Sequence, residues 1–240
     1  MVSTTSKSWC ARLLPDAGVV VVAAGRGARF GGDLPKQYQL LAGTPVLLHA
    51  IRPFAAHPGI ARIVVVLPAA DAAAPPAWLA ALCGGRLSVT AGGAERRDSV
   101  AAGLAALAAE CTIVLIHDGA RPFPSTAIID GGLAAARQGR SAVPALPIGE
   151  TIKRADDFGR VLSTVDRRGL WLAQTPQAFP RRVLERAHAA ACLDELAPTD
   201  DAMLVERLGE PVELLPGSVR NLKITTAHDL ALAAWYAERP

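Results

Sequence analysis

Short apolar runs that alternate with alanine- and leucine-rich stretches constrain this chain more than any other feature. Gly18 to Ala23, Ile63 to Leu67, Leu87 to Thr90 and Thr112 to Ile116 read as strands, and Ser141 to Leu146 is a fifth. A strand with one wet face would alternate polar and apolar residues; near-continuous runs fit strands covered on both faces, as in a parallel sheet. Between them, Thr44 and Pro45 offer an N-cap and a first-turn proline for a helix to about His57, with Pro53 at a kink or an end. Helices also fit Ser99 to Ala109, Thr126 to Gln138, Arg181 to Ala191, Thr199 to Leu208, and Thr226 to Tyr236, where Thr226 and Asp229 form a capping pair. Strand-helix alternation with right-handed crossovers predicts a doubly wound, mostly parallel α/β sheet of Rossmann-like type.

One segment breaks the rhythm. Residues 147 to 168 lack a helical period and carry Lys153, Arg154, Asp156, Asp157, Arg160, Asp166, Arg167 and Arg168. Alternation at Thr151 to Lys153 and at Val161 to Val165, around Asp156-Asp157-Phe158-Gly159, predicts a protruding β-hairpin arm. Residues 1 to 16 read as a flexible leader and residues 17 to 240 as one domain, with no internal repeat or linker. Lys plus Arg number 25 against 22 for Asp plus Glu, so a net charge of +3 argues against a nucleic-acid surface. Cys10, Cys83, Cys111 and Cys192 form no Cys-x-x-Cys pair, which fits buried thiols in the cytoplasm. The apolar runs are far shorter than the ~20 residues a bilayer requires, so no membrane partner is expected.

In open α/β sheets ligands bind beyond the carboxyl ends of the strands. The first strand ends in Ala23-Ala24-Gly25-Arg26-Gly27-Ala28-Arg29-Phe30, and Pro35-Lys36-Gln37 follows. Glycines let backbone amides approach phosphate, and Arg29 and Lys36 supply charge for a triphosphate. A dinucleotide fingerprint is incomplete, because Phe30 occupies the third glycine position, and no P-loop ending follows. The third strand leads into Gly92-Gly93-Ala94-Glu95-Arg96-Arg97-Asp98-Ser99, where a helix's first turn could hold Ser99 near a base. The fourth leads into His117-Asp118-Gly119-Ala120-Arg121, which puts one carboxylate at the sheet edge where a magnesium-bound phosphate or ribose would lie. A turn cap explains Asp118 as well, and His117 reads as a satisfied core histidine.

Together with Thr164-Val165-Asp166-Arg167, Gln174-Thr175-Pro176-Gln177, Thr199-Asp200-Asp201 and Asn221-Leu222-Lys223-Ile224-Thr225, these segments closely resemble the 2-C-methyl-D-erythritol 4-phosphate cytidylyltransferase family. The resemblance runs in order from about Gly18 to Ala237. It implies a nucleotidyltransferase domain in which Ala23, Ala24 and Gly25 form the nucleotide loop and Arg29 and Lys36 stabilise the transition state. Gly93 and Ser99 match its cytosine site, and Asp118 its acidic residue near ribose and Mg2+. Thr151, Arg167 and Lys223 match positions that hold the acceptor phosphate, and Arg121 and Thr175 join the substrate-binding set. The resemblance further implies CTP and a sugar-alcohol phosphate as substrates, Mg2+ or another divalent cation as cofactor, and a homodimer in which the arm crosses to the partner.

There are departures from the family pattern. Gly119 replaces a frequent alanine, Glu150 a frequent aspartate before Thr151, and Arg220 precedes Asn221 where some relatives carry an acid, which argues against a second protein carboxylate for the metal. A ribitol 5-phosphate cytidylyltransferase is the nearest rival, although the Asp118-Gly119-Ala120-Arg121 loop leans toward methylerythritol phosphate. A non-catalytic nucleotide-binding subunit is opposed by the retained Arg29, Lys36 and Lys223. A nicotinamide dehydrogenase is opposed by the incomplete fingerprint.

Overall fold

The computed structural model describes residues 15–25, 34–191 and 198–239. In chain order its elements are β1 (Ala17–Val22), β2 (Leu40–Leu41), β3 (Thr44–Pro45), α1 (Val46–Ala56), β4 (Ile60–Leu67), α2 (Ala69–Ala73), α3 (Ala77–Ala80), β5 (Leu87–Ala91), α4 (Arg96–Ala106) and β6 (Ile113–Asp118). Then come α5 (Thr126–Arg137), β7 (Ser141–Pro147), β8 (Ile152–Ala155), β9 (Val161–Val165), β10 (Trp171–Ala173), β11 (Gln177–Pro180), α6 (Arg181–Ala191), α7 (Asp201–Arg207), β12 (Val212–Pro216) and α8 (Ala227–Ala237).

The main sheet runs β5-β4-β1-β6-β11-β7, with β12 on the far edge of β7. β1 pairs in parallel with β4 and β6, β4 with β5, and β7 with β12. Both faces are covered, which is why the strands could be continuously apolar. Val19, Val21, Val65 and Leu115 pack beneath Leu47, Ile51 and Phe54 of α1 and Ile129 and Leu133 of α5. Their neighbours Val20, Val64, Val66 and Val114 point the other way, into Val100 and Leu104 of α4 and Leu184 of α6. Helix α4 lies close on that face because of Gly103, where an added Cβ would stand 2.3 Å from Val20 Cγ1.

The five strands read from the sequence are present, each within three residues at its ends. Three helices start at other residues than read, and α4 ends at Ala106 rather than Ala109. Thr44 and Pro45 form a two-residue ladder with Leu40 and Leu41, closed by Ala42 (φ 48°) and Gly43 (φ 74°), so Pro45 is itself the N-cap of α1 and Thr44 supplies no cap. Pro53 lies in the last turn of α1. Helix α4 starts at Arg96, not Ser99, because Glu95 and Asp98 form a capping box there. Helix α7 starts at Asp201, with Asp200 as N-cap accepting from the Met203 N–H at 3.0 Å. The Thr226–Asp229 capping box of α8 is present as read.

Strands β10 and β11 were not anticipated. They run antiparallel along one edge of β7, end to end, and β11 also pairs with β6, so an antiparallel insert separates two parallel strands. The arm is the expected hairpin, with Ile152 opposite Val165 and Lys153 opposite Thr164. Its turn is tied by Asp156, whose Oδ1 accepts the N–H groups of Phe158 (3.0 Å) and Arg160 (2.8 Å), with Gly159 at φ 79°.

Candidate active site

The sequence order of the strands reverses at β1 and β6, and α1 and α4 cover opposite faces there, which opens a crevice at the carboxyl ends of those strands. A cleft occupies it, walled by Ala23, Ala24 and Gly25 after β1, Lys36, Gly93 to Arg96, Ser99, Asp118 and Lys223. Eight of the residues read from the sequence are thus brought together: Ala23, Ala24, Gly25, Lys36, Gly93, Ser99, Asp118 and Lys223. Arg29 lies outside the described residues.

Each wall has a local cause. Gln37 is buried and donates from Nε2 to the Ala23 carbonyl at 3.0 Å, while Tyr38 donates to Asp71 Oδ2 at 2.7 Å. These two bonds fix the short 3-10 turn that carries Lys36. Gly93 passes so close to α4 that a Cβ would stand 2.3 Å from Asp98 Cβ, which leaves room for no other residue. Ser99 sits at the end of the first turn of α4, buried, with its hydroxyl donating to the Glu95 carbonyl at 3.1 Å. Gly119 is packed rather than loose, since a Cβ there would lie 2.9 Å from Leu47 Cδ1 and 3.0 Å from Ala23 Cβ.

Asp118 ends β6 and is the electrostatic centre of the cleft. Lys223 Nζ lies 2.7 Å from its Oδ2, Arg96 Nε 3.5 Å from its Oδ1, and Arg121 Nε 3.9 Å from its Oδ2. Burial by itself would raise the carboxyl's pKa, but Arg96, Lys223 and Arg121 outweigh it and hold the group well below the usual carboxylate range. Arg96 in turn donates from Nη1 to the buried Asp201 at 2.7 Å. Burial works against its charge, yet Asp201 and Asp118 more than offset that and keep it cationic.

Behind this pair the backbone is locked. Thr175 Oγ1 accepts the Asp118 N–H at 3.0 Å and bonds to His117 Nδ1 at 3.1 Å, and His117 Nε2 meets the Arg121 carbonyl at 3.0 Å. A carbonyl can only accept, so Nε2 carries the proton and Nδ1 accepts from the threonine hydroxyl. Burial lowers the His117 pKa to about 4, and the residue is the satisfied core histidine the sequence suggested. Arg121 lies beneath the cleft and donates from Nη1 to the Asn221 carbonyl at 2.7 Å, and Asn221 Nδ2 donates to the Thr175 carbonyl at 2.8 Å. Those bonds carry Lys223 to Asp118.

Thr151 and Arg167 do not join this cleft. Both are exposed on the arm and its base, where Arg167 donates to the Gly149 carbonyl and Asp166 is engaged by Arg168, Nε to Oδ2 at 2.8 Å. Arg96, Gln37, Asn221 and Asp201 are the site residues that sequence reasoning passed over without a role. For Arg96 and Arg97 the sequence shows two equal cations, and only the start of α4 decides which one faces the cleft.

The arrangement is a glycine-lined crevice whose wall carries Lys36, Arg96 and Lys223, the last two paired with one ionised carboxylate, Asp118. Its charge suits a polyanion. Among the described residues no group of three His, Cys, Asp or Glu could hold a metal by itself. Fold and site together define the nucleotidyltransferase class of doubly wound α/β proteins.

The family model for 2-C-methyl-D-erythritol 4-phosphate cytidylyltransferase matches residues 17–239, and the chain belongs to that family. It is 41% identical over 231 residues to the enzyme of that name from Syntrophus aciditrophicus, covering 94% of this chain and 97% of the relative. It is 45% identical over 233 residues to the one from Syntrophotalea carbinolica, covering 92% and 96%. The crystal structure of the Thermus thermophilus enzyme superposes with a TM-score of 0.76 at 34% identity, covering 91% of this chain and 98% of that one. Among the described residues no helix is long and apolar enough to cross a membrane.

Proposed function

We propose that this protein transfers the cytidylyl group of CTP to 2-C-methyl-D-erythritol 4-phosphate and releases pyrophosphate. The observation that carries the reading is Asp118 paired with Arg96 and Lys223, with Lys36 in the same cleft wall, in a glycine-lined crevice of a chain from this family. An acceptor phosphate oxygen attacks the α-phosphorus of CTP; that P–O bond forms as the bond to the bridging α,β-oxygen breaks, and the electron pair leaves with pyrophosphate. The acceptor is already ionised near neutral pH, so the protein's work is to bring two anions together and disperse charge. Lys36, on the cleft wall, serves the triphosphate, a role the family resemblance also gives to Arg29. Lys223, held by Asp118, faces the incoming phosphate.

Mg2+ fits this donor set. Such an ion typically uses one or two carboxylates and takes its other ligands from phosphates and water. Asp118 offers the one ionised carboxylate at the sheet edge, and Glu95, the other acid lining the cleft, is occupied in capping α4. Asp118 and the nucleotide's phosphates would hold the ion, which would supply further neutralisation of the triphosphate. Cys111 is buried as read and Cys83 is exposed rather than buried; both are unpaired thiols, which supports a cytoplasmic setting.

The test is pyrophosphate release by purified protein with CTP, UTP or ATP and with each of the two acceptors. Turnover with CTP and methylerythritol phosphate, at an efficiency at least about 100-fold above UTP, is expected, because a mismatched base leaves buried polar groups unpaired. Preference for ribitol 5-phosphate would transfer the assignment to the rival acceptor. Comparable rates with UTP would refute the cytosine site at Gly93 and Ser99.

A further inference from the structure

Asp201 is a buried carboxylate with no place in the cleft wall, only 1% exposed. Its two oxygens are taken by one cation and one histidine: Oδ2 accepts from Arg96 Nη1 at 2.7 Å, and Oδ1 meets His188 Nε2 at 3.0 Å. A buried ion pair is a poor stabiliser, since well-packed apolar groups of the same volume serve stability as well or better. Its position is nevertheless tightly specified. Asp200 caps α7 and accepts from Gln177 Nε2 at 2.7 Å, and Gln177 Oε1 accepts the Ala202 N–H at 3.1 Å. These bonds tie the start of α7 to Gln177 of β11, two residues beyond Thr175, which accepts the Asp118 N–H. Asp201 and Asp118 are therefore both held to one short stretch of chain, and Arg96 spans the gap between them.

We propose that Asp201, oriented by His188, is a positioning residue for nucleotidyl transfer: it holds the Arg96 guanidinium in the cleft floor beside Asp118. This rests on the function proposed above. Without the Asp201 anchor, Arg96 keeps only its 3.5 Å contact to Asp118 Oδ1 and no longer presents its charge at a fixed place to the nucleotide, while Lys223 stays on Oδ2. Among the described residues His188 Nδ1 is buried and has no partner, so the ring's hydrogen bonding there is directed at Asp201 through Nε2. His188 Nε2 meets Oδ1 of the carboxylate, which leaves Oδ2 directed at Arg96.

A double-mutant cycle tests this, with Asp201→Asn and Arg96→Lys made singly and together in the full chain. Initial rates with CTP and acceptor, CTP affinity by calorimetry and thermal melts are measured for each. Asp201→Asn is expected to lower kcat/KM for CTP about 10-fold in the wild-type background and less than about 2-fold in the Arg96→Lys background. The KM for the acceptor should stay within about 2-fold of wild type, since the Lys223 contact remains. Additive losses in the two backgrounds, or unchanged kinetics in a well-folded Asp201→Asn protein, would overturn the proposal. If Asp201→Asn loses its cooperative melt, His188→Leu replaces it in the same cycle, with a smaller loss that must also vanish beside Arg96→Lys. Wild-type turnover is read in the same plate. Its absence would sink the proposed function, whereas the calorimetric cycle would still decide whether Asp201 acts through Arg96.

Discussion

Lys36 and His117 show how differently two polar side chains near one cleft are used. Lys36 rides on a turn fixed by its neighbours, through Gln37 to Ala23 and Tyr38 to Asp71. Lys36→Ala should therefore cost about 100-fold or more in kcat, as loss of one preorganised donor does. Its melting temperature should stay within about 2 °C of wild type. Initial rates and thermal melts would check both, and a collapse of the melt would make Lys36 structural. His117 is buried neutral, its pKa lowered from the ordinary 6.5 to about 4. Between those values the unfolded chain binds a proton that the folded chain refuses, so stability falls as pH drops from about 6.5 to 4. His117→Gln should flatten that dependence by on the order of 2 kcal/mol between pH 6.5 and 5, read from urea unfolding at the two values. Equal slopes in both proteins would mean that His117 is protonated in the fold.

At the scale of elements, the close approach of α4 to β1 is what places Gly93, Arg96 and Ser99 around the nucleotide crevice. Gly103 permits it. Alanine would improve helix propensity there by about 1 kcal/mol. Its Cβ, however, would stand 2.3 Å from Val20 Cγ1 and 3.0 Å from Val66 Cγ2. Overpacking of this kind costs roughly 1–3 kcal/mol, so Gly103→Ala should lower the urea midpoint, and Val20→Ala in the same chain should recover part of it. A higher midpoint for the single variant would show that α4 is free to retreat. The hairpin of β8 and β9 is the opposite case, an element whose residues are almost all exposed and whose bonds are mainly its own.

That exposure matters for the molecule as a whole. Phe158 is 87% exposed, Leu162 63% and Val161 61%. A two-stranded hairpin with bare apolar side chains is marginal by itself, and a two-fold mate is the simplest cover. We propose that two copies pair through this arm, so that Thr151 and Arg167, which lie outside the cleft of their own chain, complete the acceptor site of the other. Mixing Arg167→Ala chains with Lys36→Ala chains checks it. If sites are shared, half the mixed population carries one intact centre, and activity should rise to about a quarter of wild type. Exchange of subunits with no rise above either variant alone would place Arg167 in its own subunit's chemistry or in none.

The sequence by itself determined the alternation of strand and helix, the hairpin, the α8 cap and the glycine-rich loops. Each of these depends on contacts within a few residues: apolar runs, a threonine three residues before an aspartate, a turn of Asp156 to Gly159. The ordered motifs likewise identified Lys36, Asp118 and Lys223 before any of them could be placed. Only the tertiary structure decided how those residues meet. Arg96 rather than Arg97 enters the cleft because the Glu95–Asp98 cap sets the helical phase, and one residue of shift turns a side chain by about 100°. Asp201 reaches Arg96 across 105 positions of chain because α7 is bonded to β11, and β11 inserts antiparallel between β6 and β7 while β10 pairs with β7 alone. Such pairings follow from where the sheet puts distant segments, and no local pattern of residues encodes them.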